Sequence, residues 1–223
     1  MPQVDFYTQR IEVDGLPVVA SALVSPRALD EAAAILTWMK PRNPRIWPTL
    51  IAQGVTVAVI GITELVCDLP EYADLPVKFP AVDWNNTTRG LGATKERPVC
   101  SCGEENLLLL PEDKYVGESI LVHEFAHTLH LMALREVDKS FDNRLLATYR
   151  HAMSRRLWER TYITSPQTPR PHEEYWAEGV QSYFDANKAV HPPDGIHNHV
   201  ATRQQLQDYD SGLAALIAGV FVN

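Results

Sequence analysis

Apolar and polar positions alternate from Phe6 to Val13, break at Asp14-Gly15 and resume from Leu16 to Leu23. A period of two on either side of an Asp-Gly pair predicts a β-hairpin closed by a two-residue turn. Ser25-Pro26 then opens a helix, since proline fits its first turn, and Leu29, Ala32, Ala33, Leu36 and Met39 form its apolar stripe. A shorter helix is expected between Pro44 and Gln53, ended by Gly54. The unbroken apolar run from Val55 to Ile62 suits a central strand buried on both faces.

From Asp68 to Gly103 the chain is rich in Pro, Asn and Gly with little periodicity, which predicts functional loops or short edge strands. Leu107 to Leu110 reads as a short buried strand, with Pro111-Glu112-Asp113 turning out of it. A helix from about Gly117 to Arg135 carries Ile120, Leu121, Phe125, Leu131 and Met132 on several sides, so it belongs in the interior. Leu146, Tyr149, Met153 and Leu157 mark another amphipathic helix, and Ser165 to Pro171 is broken by proline. His172 to Asn187 is helical again, and Thr202 to Phe221 forms one or two closing helices around Asp210-Ser211-Gly212. The pattern gives an α+β fold read as one domain over residues 1–223. Its N-terminal lobe, about residues 1–115, holds a mixed sheet with helices, and its C-terminal lobe, about residues 116–223, is mostly helical.

With 223 residues and 45% hydrophobic content, the chain can bury one sizeable core, and no linker-like segment divides it. Its net charge of -8 is spread along the sequence without a run of Lys or Arg, which argues against nucleic-acid or anionic-membrane surfaces. No apolar stretch approaches the roughly 18 residues of a membrane span, and Met1 to Asp5 lacks a charged-then-apolar opening, so a soluble chain is expected, secreted or cytoplasmic. Three cysteines leave the redox compartment open: Cys67 bridged to Cys100 or Cys102, or three free thiols. Arg89-Gly90-Leu91-Gly92 lacks the further glycine and the Lys-Ser/Thr pair of a phosphate loop, so nucleotide binding is not expected.

The chemistry lies at His123-Glu124-Phe125-Ala126-His127. On a helix, positions i and i+4 share a face one turn apart, so two imidazoles can hold one metal ion while Glu124 reaches the water bound to it. That is the H-E-x-x-H signature of zincin metallopeptidases. A catalytic zinc needs a third protein ligand. His130 shares the face, but its Cα lies about 10 Å along the axis from that of His123, too far for side chains on one straight helix to converge. His151, His191, His197 and His199 have no metal spacing and default to surface or loop positions.

The third ligand is sought in His172-Glu173-Glu174-Tyr175-Trp176-Ala177-Glu178-Gly179, where Glu174 and Glu178 stand at i and i+4 on one face. Glu174-Tyr175-Trp176-Ala177-Glu178 resembles the Glu-aromatic-aromatic-Ala-Glu segment of the anthrax lethal factor peptidase domain and its relatives, which are gluzincins. The 46 residues between His127 and Glu174 resemble that family's spacing. The resemblance is sharp over two helices, about a third of the chain. It implies a zincin-like fold with its zinc cleft between the two lobes, Glu174 as the zinc ligand, and Glu178 as the carboxylate that supports a ligand histidine from behind. Glu173 and His172 stay open as ligands if the helix register differs. Lethal-factor-like enzymes also place a tyrosine near the reacting carbonyl shortly before the third ligand. Here Gln167 stands at that offset, and Tyr162 is the nearest tyrosine upstream, able to donate a hydrogen bond to an oxyanion.

The expected activity is peptide-bond hydrolysis with one Zn2+ ion: zinc lowers the pKa of its water, Glu124 acts as general base and then passes the proton to the leaving amine. The expected partner is a peptide or protein substrate, added as a strand along an edge between Val99 and Leu107. Two alternatives stand beside this reading. One is a zinc hydrolase or other zincin-fold enzyme acting on a non-peptide substrate; the other is a non-catalytic metal-binding interaction domain, disfavoured because structural zinc sites are closed by four ligands and rich in Cys.

Overall fold

Asp14 and Gly15 both take positive φ, 48° and 84°, in the computed structural model, which describes residues 6–222. That geometry is what an Asp-Gly pair supplies to a hairpin turn whose twist matches its strands. It joins β1 (Gln9–Val13) to β2 (Leu16–Ala20), antiparallel, with Val13 opposite Leu16. Residues 1–5, on which the expectation about the opening segment falls, and Asn223 lie outside the described residues.

Two helices, α1 (Pro26–Trp38) and α2 (Ile46–Ala52), return the chain to β3 (Thr56–Ile60), which runs parallel to β2. The irregular segment that follows contributes β4 (Gly90–Leu91), and β5 (Val99–Gly103) completes a mixed sheet ordered β1-β2-β3-β5-β4. As the apolar run predicted, β3 is central. Side chains alternate across it: Val57 and Val59 join the main core, while Ala58 and Ile60 join a second cluster with Val19, Val99, Leu69 and Tyr72. Both faces of the sheet are covered.

Two expectations are corrected here. Leu107 to Leu110 is not a strand: Glu104–Leu107 is a single helical turn, and Leu109, at φ 53°, is 80% exposed. A four-residue apolar run cannot by periodicity be told from a helix segment. What bends the chain is Glu104, whose buried carboxylate accepts from the Ser25 amide at 2.8 Å and the Ile62 amide at 3.2 Å. The second correction concerns the edge offered to substrate. Residues 99–103 form β5, flanked by β3 and β4, so the free edge on that side belongs to Gly90 and Leu91.

After Leu107 the regular structure is helical: α3 (Ile120–Leu129), α4 (Phe141–Ser154), α5 (Pro171–Tyr183), α6 (Arg203–Tyr209) and α7 (Ser211–Ala218). The start of α3 falls three residues later than the pattern suggested, because Gly117 sits at φ 97° and Ser119 caps the helix by accepting from the Val122 amide. A π-turn, His130–Leu134, prolongs it. Asp210 caps α7 through the Leu213 amide, which divides the C-terminal segment into two helices. Packing places α3 between β5 and α5, and one apolar cluster runs from Val13 to Phe221. Cys67, Cys100 and Cys102 are all free. Among the described residues no helix is long and apolar enough to cross a membrane.

Candidate metal centre

The N-terminus of α3 is fixed from two sides. Ser119 caps it, and buried Asn106 accepts from the Ile120 amide at 2.8 Å while donating to the Glu118 carbonyl at 2.9 Å. Ile120, Leu121, Val122, Phe125, Ala126 and Leu129 are buried, which leaves one face for His123 and His127. Their Nε2 atoms stand 3.1 Å apart. The Oε2 atom of Glu174 lies 3.3 Å from the first and 3.6 Å from the second. Metal bonds of 2.0–2.1 Å meeting at tetrahedral angles separate ligand atoms by about 3.3 Å, so this triangle fits a zinc ion with a fourth position left over.

Glu174 reaches the triangle because both aromatic residues after it are anchored. The Trp176 indole N–H donates to the Ala126 carbonyl at 2.9 Å, tying α5 to α3, and the Tyr175 hydroxyl donates to Asp210 at 2.6 Å. One turn on, a side chain at Gly179 would collide with Leu213, so glycine lets α7 press α5 into place. This register turns the neighbours elsewhere. Glu173 is buried against Arg170 and Arg135, and His172 packs near Tyr149. His130 is a core histidine, fully buried and bonded to Asp142 at 2.7 Å.

Glu178 was expected behind a ligand histidine, and its carboxylate instead meets His197 Nδ1 at 3.0 Å. The other ring nitrogen of His197 faces Glu118 at 3.3 Å, so a buried imidazole is held between two carboxylates. Burial opposes charge on His197, yet hydrogen bonds to Glu118 and Glu178 outweigh it and push the ring up to about 10. The place behind His123 is taken by Gln181, whose Oε1 lies 2.8 Å from Nδ1.

Burial likewise disfavours charge on His123, but the hydrogen bond to Glu174 and the charges of Glu124, Glu174 and Glu178 push it up to about 10. Burial raises Glu174 as well, and the two histidines overcome this to hold its carboxyl well below the usual range. The Glu174 carboxylate is therefore matched by positive charge on His123, a charge that a divalent cation would supply instead. Burial keeps the Glu124 carboxyl above its ordinary value despite the pull of His123 and His127.

A cavity of about 730 Å³ opens over this group, lined by Trp84, Gly90, Leu91, Glu124, Tyr162 and Ile196 among others. Tyr162 is half exposed on its wall, with its amide donating to the Ile196 carbonyl at 3.0 Å. Gln167, at the offset where the lethal factor pattern has tyrosine, is exposed and does not line it. Edge strand β4 and Gly92, which follows it, run directly against α3: a Cβ at Gly92 would stand 2.7 Å from that of His127 and 3.1 Å from the Glu124 carbonyl oxygen. The Gly90-Leu91-Gly92 pattern, dismissed as a phosphate loop, marks this close approach, a meaning glycine in a strand often has. Gln181, His197 and Glu118 carried no sequence signal of their own.

No protein-family model matches the chain, and no curated protein matches it. Among solved structures it is similar to a PRO-PRO endopeptidase, PPEP-2, from Paenibacillus alvei, 19% identical with a TM-score of 0.57, covering 92% of this chain and 97% of that one. At that identity the likeness is one of fold, and it agrees with a zincin-like arrangement.

Proposed function

We propose that the chain is a zinc-dependent endopeptidase of the gluzincin type, related in its two motif helices to the lethal factor group. The observation that carries this reading is the donor triangle of His123, His127 and Glu174 with a buried carboxylate, Glu124, beside it. The proposal treats residues 1–223 as one domain with the cleft between its two lobes, supported by the continuous core and by a cavity lined from both halves.

A zinc ion held by the three donors supplies a water of lowered pKa and a Lewis acid for the substrate carbonyl. Glu124, buried beside the three donors, takes a proton from the attacking water. It then delivers that proton to the leaving amine. Tyr162, with no protein partner for its hydroxyl among the described residues, donates a hydrogen bond to the developing oxyanion. The extended substrate lies along β4, whose backbone edge is free on the side of the cavity. Glu178 acts on the centre at a distance, through its hold on His197.

The solved neighbour's name supplies the first specificity to test, a bond between two prolines. The experiment is a degenerate peptide library containing a Pro-Pro subset, incubated with zinc-loaded protein and read by mass spectrometry, with Glu124→Gln as control. Internal cleavage by the wild type, lowered by a factor on the order of a hundred or more in the control, is expected. Equal cleavage by both proteins would remove Glu124 from the mechanism. Hydrolysis of small amides with every peptide left intact would favour the non-peptide zinc hydrolase.

A further inference from the structure

We infer that Gln181, and not Glu178, is the residue that fixes the orientation and tautomer of His123 for metal binding, an inference that rests on the metal reading above. The argument starts at the far end of the amide. Gln181 is fully buried, and its Nε2 lies 3.1 Å from the Ser119 carbonyl oxygen and 3.4 Å from Glu118 Oε2. A carbonyl oxygen only accepts, and Glu118 is an ionised acceptor because hydrogen bonding to His197 outweighs its burial and lowers its carboxyl. The NH2 group must therefore face that side, which settles the orientation of the amide.

Its oxygen then faces His123 Nδ1 at 2.8 Å. An amide oxygen cannot donate, so Nδ1 carries a hydrogen, and in the neutral imidazole that binds a metal the Nε2 lone pair is the free one. That lone pair points to the position shared with His127 and Glu174. Glu174 and Gln181 lie seven residues apart, two turns along one face of α5, so a single helix supplies both a ligand and the support for another. Glu178, between them, is turned to His197.

The neutral amide has an electrostatic reason. A carboxylate at position 181 would stand beside Glu118, which already shares His197 with Glu178, and like charges so close in a buried site disfavour each other. Glutamine accepts from His123 and donates to Glu118 at once, which no carboxylate can do.

The test measures zinc affinity by competition with a chromogenic chelator for wild type, Gln181→Met and Glu178→Gln, with folding checked by circular dichroism. Gln181→Met keeps the length of the side chain and loses both hydrogen bonds, and a 10- to 100-fold weaker zinc affinity is expected, the usual effect of removing a ligand's partner. Glu178→Gln is expected to lose less than a third as much on a logarithmic scale. The second readout needs no variant: in zinc-loaded wild type labelled with 15N-histidine, the His123 ring should show a protonated Nδ1 and a metal-bound Nε2. Zinc bound through Nδ1, or a Gln181→Met protein that binds zinc as tightly as wild type, overturns the inference. A wild type that binds no stoichiometric zinc would defeat the metal reading itself and is a different result.

Discussion

Gly92→Ala tests whether the sheet edge and the metal helix act as one unit. The added methyl would lie 2.7 Å from His127 Cβ and 3.1 Å from the Glu124 carbonyl oxygen. Apolar carbons rest at about 3.5–4.0 Å, so the strand and helix must separate by about 1 Å. No rotamer change relieves the clash, because both atoms are fixed to the α3 backbone. Overpacking of this kind costs about 1–3 kcal/mol, roughly a 5- to 150-fold loss in the folding constant. The same shift moves the edge proposed to carry substrate away from Glu124, and a misplacement of about 1 Å can cost on the order of a hundredfold in rate.

Gly54→Ala provides the contrast. Nothing lies within 4 Å of its Cβ position, and its φ of 71° strains any other residue. It should lose about 1–2 kcal/mol from backbone strain alone, with the activity of each folded molecule unchanged. Denaturant unfolding gives the stability of both variants, and kcat/KM on the best library peptide, at full zinc loading, gives the catalytic effect. Loss of stability and rate in Gly92→Ala, beside loss of stability only in Gly54→Ala, is the expected pair. A Gly92→Ala protein as stable and as active as wild type would refute the close packing of β4 on α3.

Glu174→Ala leaves two histidines to hold the metal, so the purified variant should be largely zinc-free by atomic emission while still folded by circular dichroism. A fully loaded Glu174 variant would remove it from the ligand set. For His197 the sign follows from its raised pKa, about 10 against about 6.5 in an unfolded chain: its charge contributes stability that is complete below pH 6.5 and fades as pH rises toward 10. Zinc-loaded wild type should therefore lose more stability than His197→Gln between pH 6.5 and 9.5, and parallel pH profiles for the two would refute the clamp between Glu118 and Glu178.

The sequence disclosed those parts of the fold whose cause is local. The hairpin is legible because Asp14-Gly15 takes the positive φ its turn needs, and β3 because a strand covered on both faces is apolar along its buried length, Val57 to Ile60. The metal histidines are legible because i and i+4 share a helical face whatever surrounds them. Leu107 to Leu110 misled because its conformation is set by Glu104, whose partner Ser25 lies 79 residues away in sequence.

The support of the centre was illegible for the same reason. Gln181 meets His123 across 58 residues, and its neighbour Glu178 meets His197 from a loop with no periodicity. A carboxylate at i+4 from a ligand looks like the natural partner for a histidine, and spacing alone cannot say that the helix face has a second candidate two turns on. What decides between them is charge: Glu178 is drawn to the ring of His197, which two carboxylates keep protonated, while the position behind His123 must accept on one side and donate on the other. The Gln181 amide meets both demands where an ionised carboxylate cannot, so a buried glutamine on a helix that already carries a metal ligand is a pattern to seek in chains of this kind.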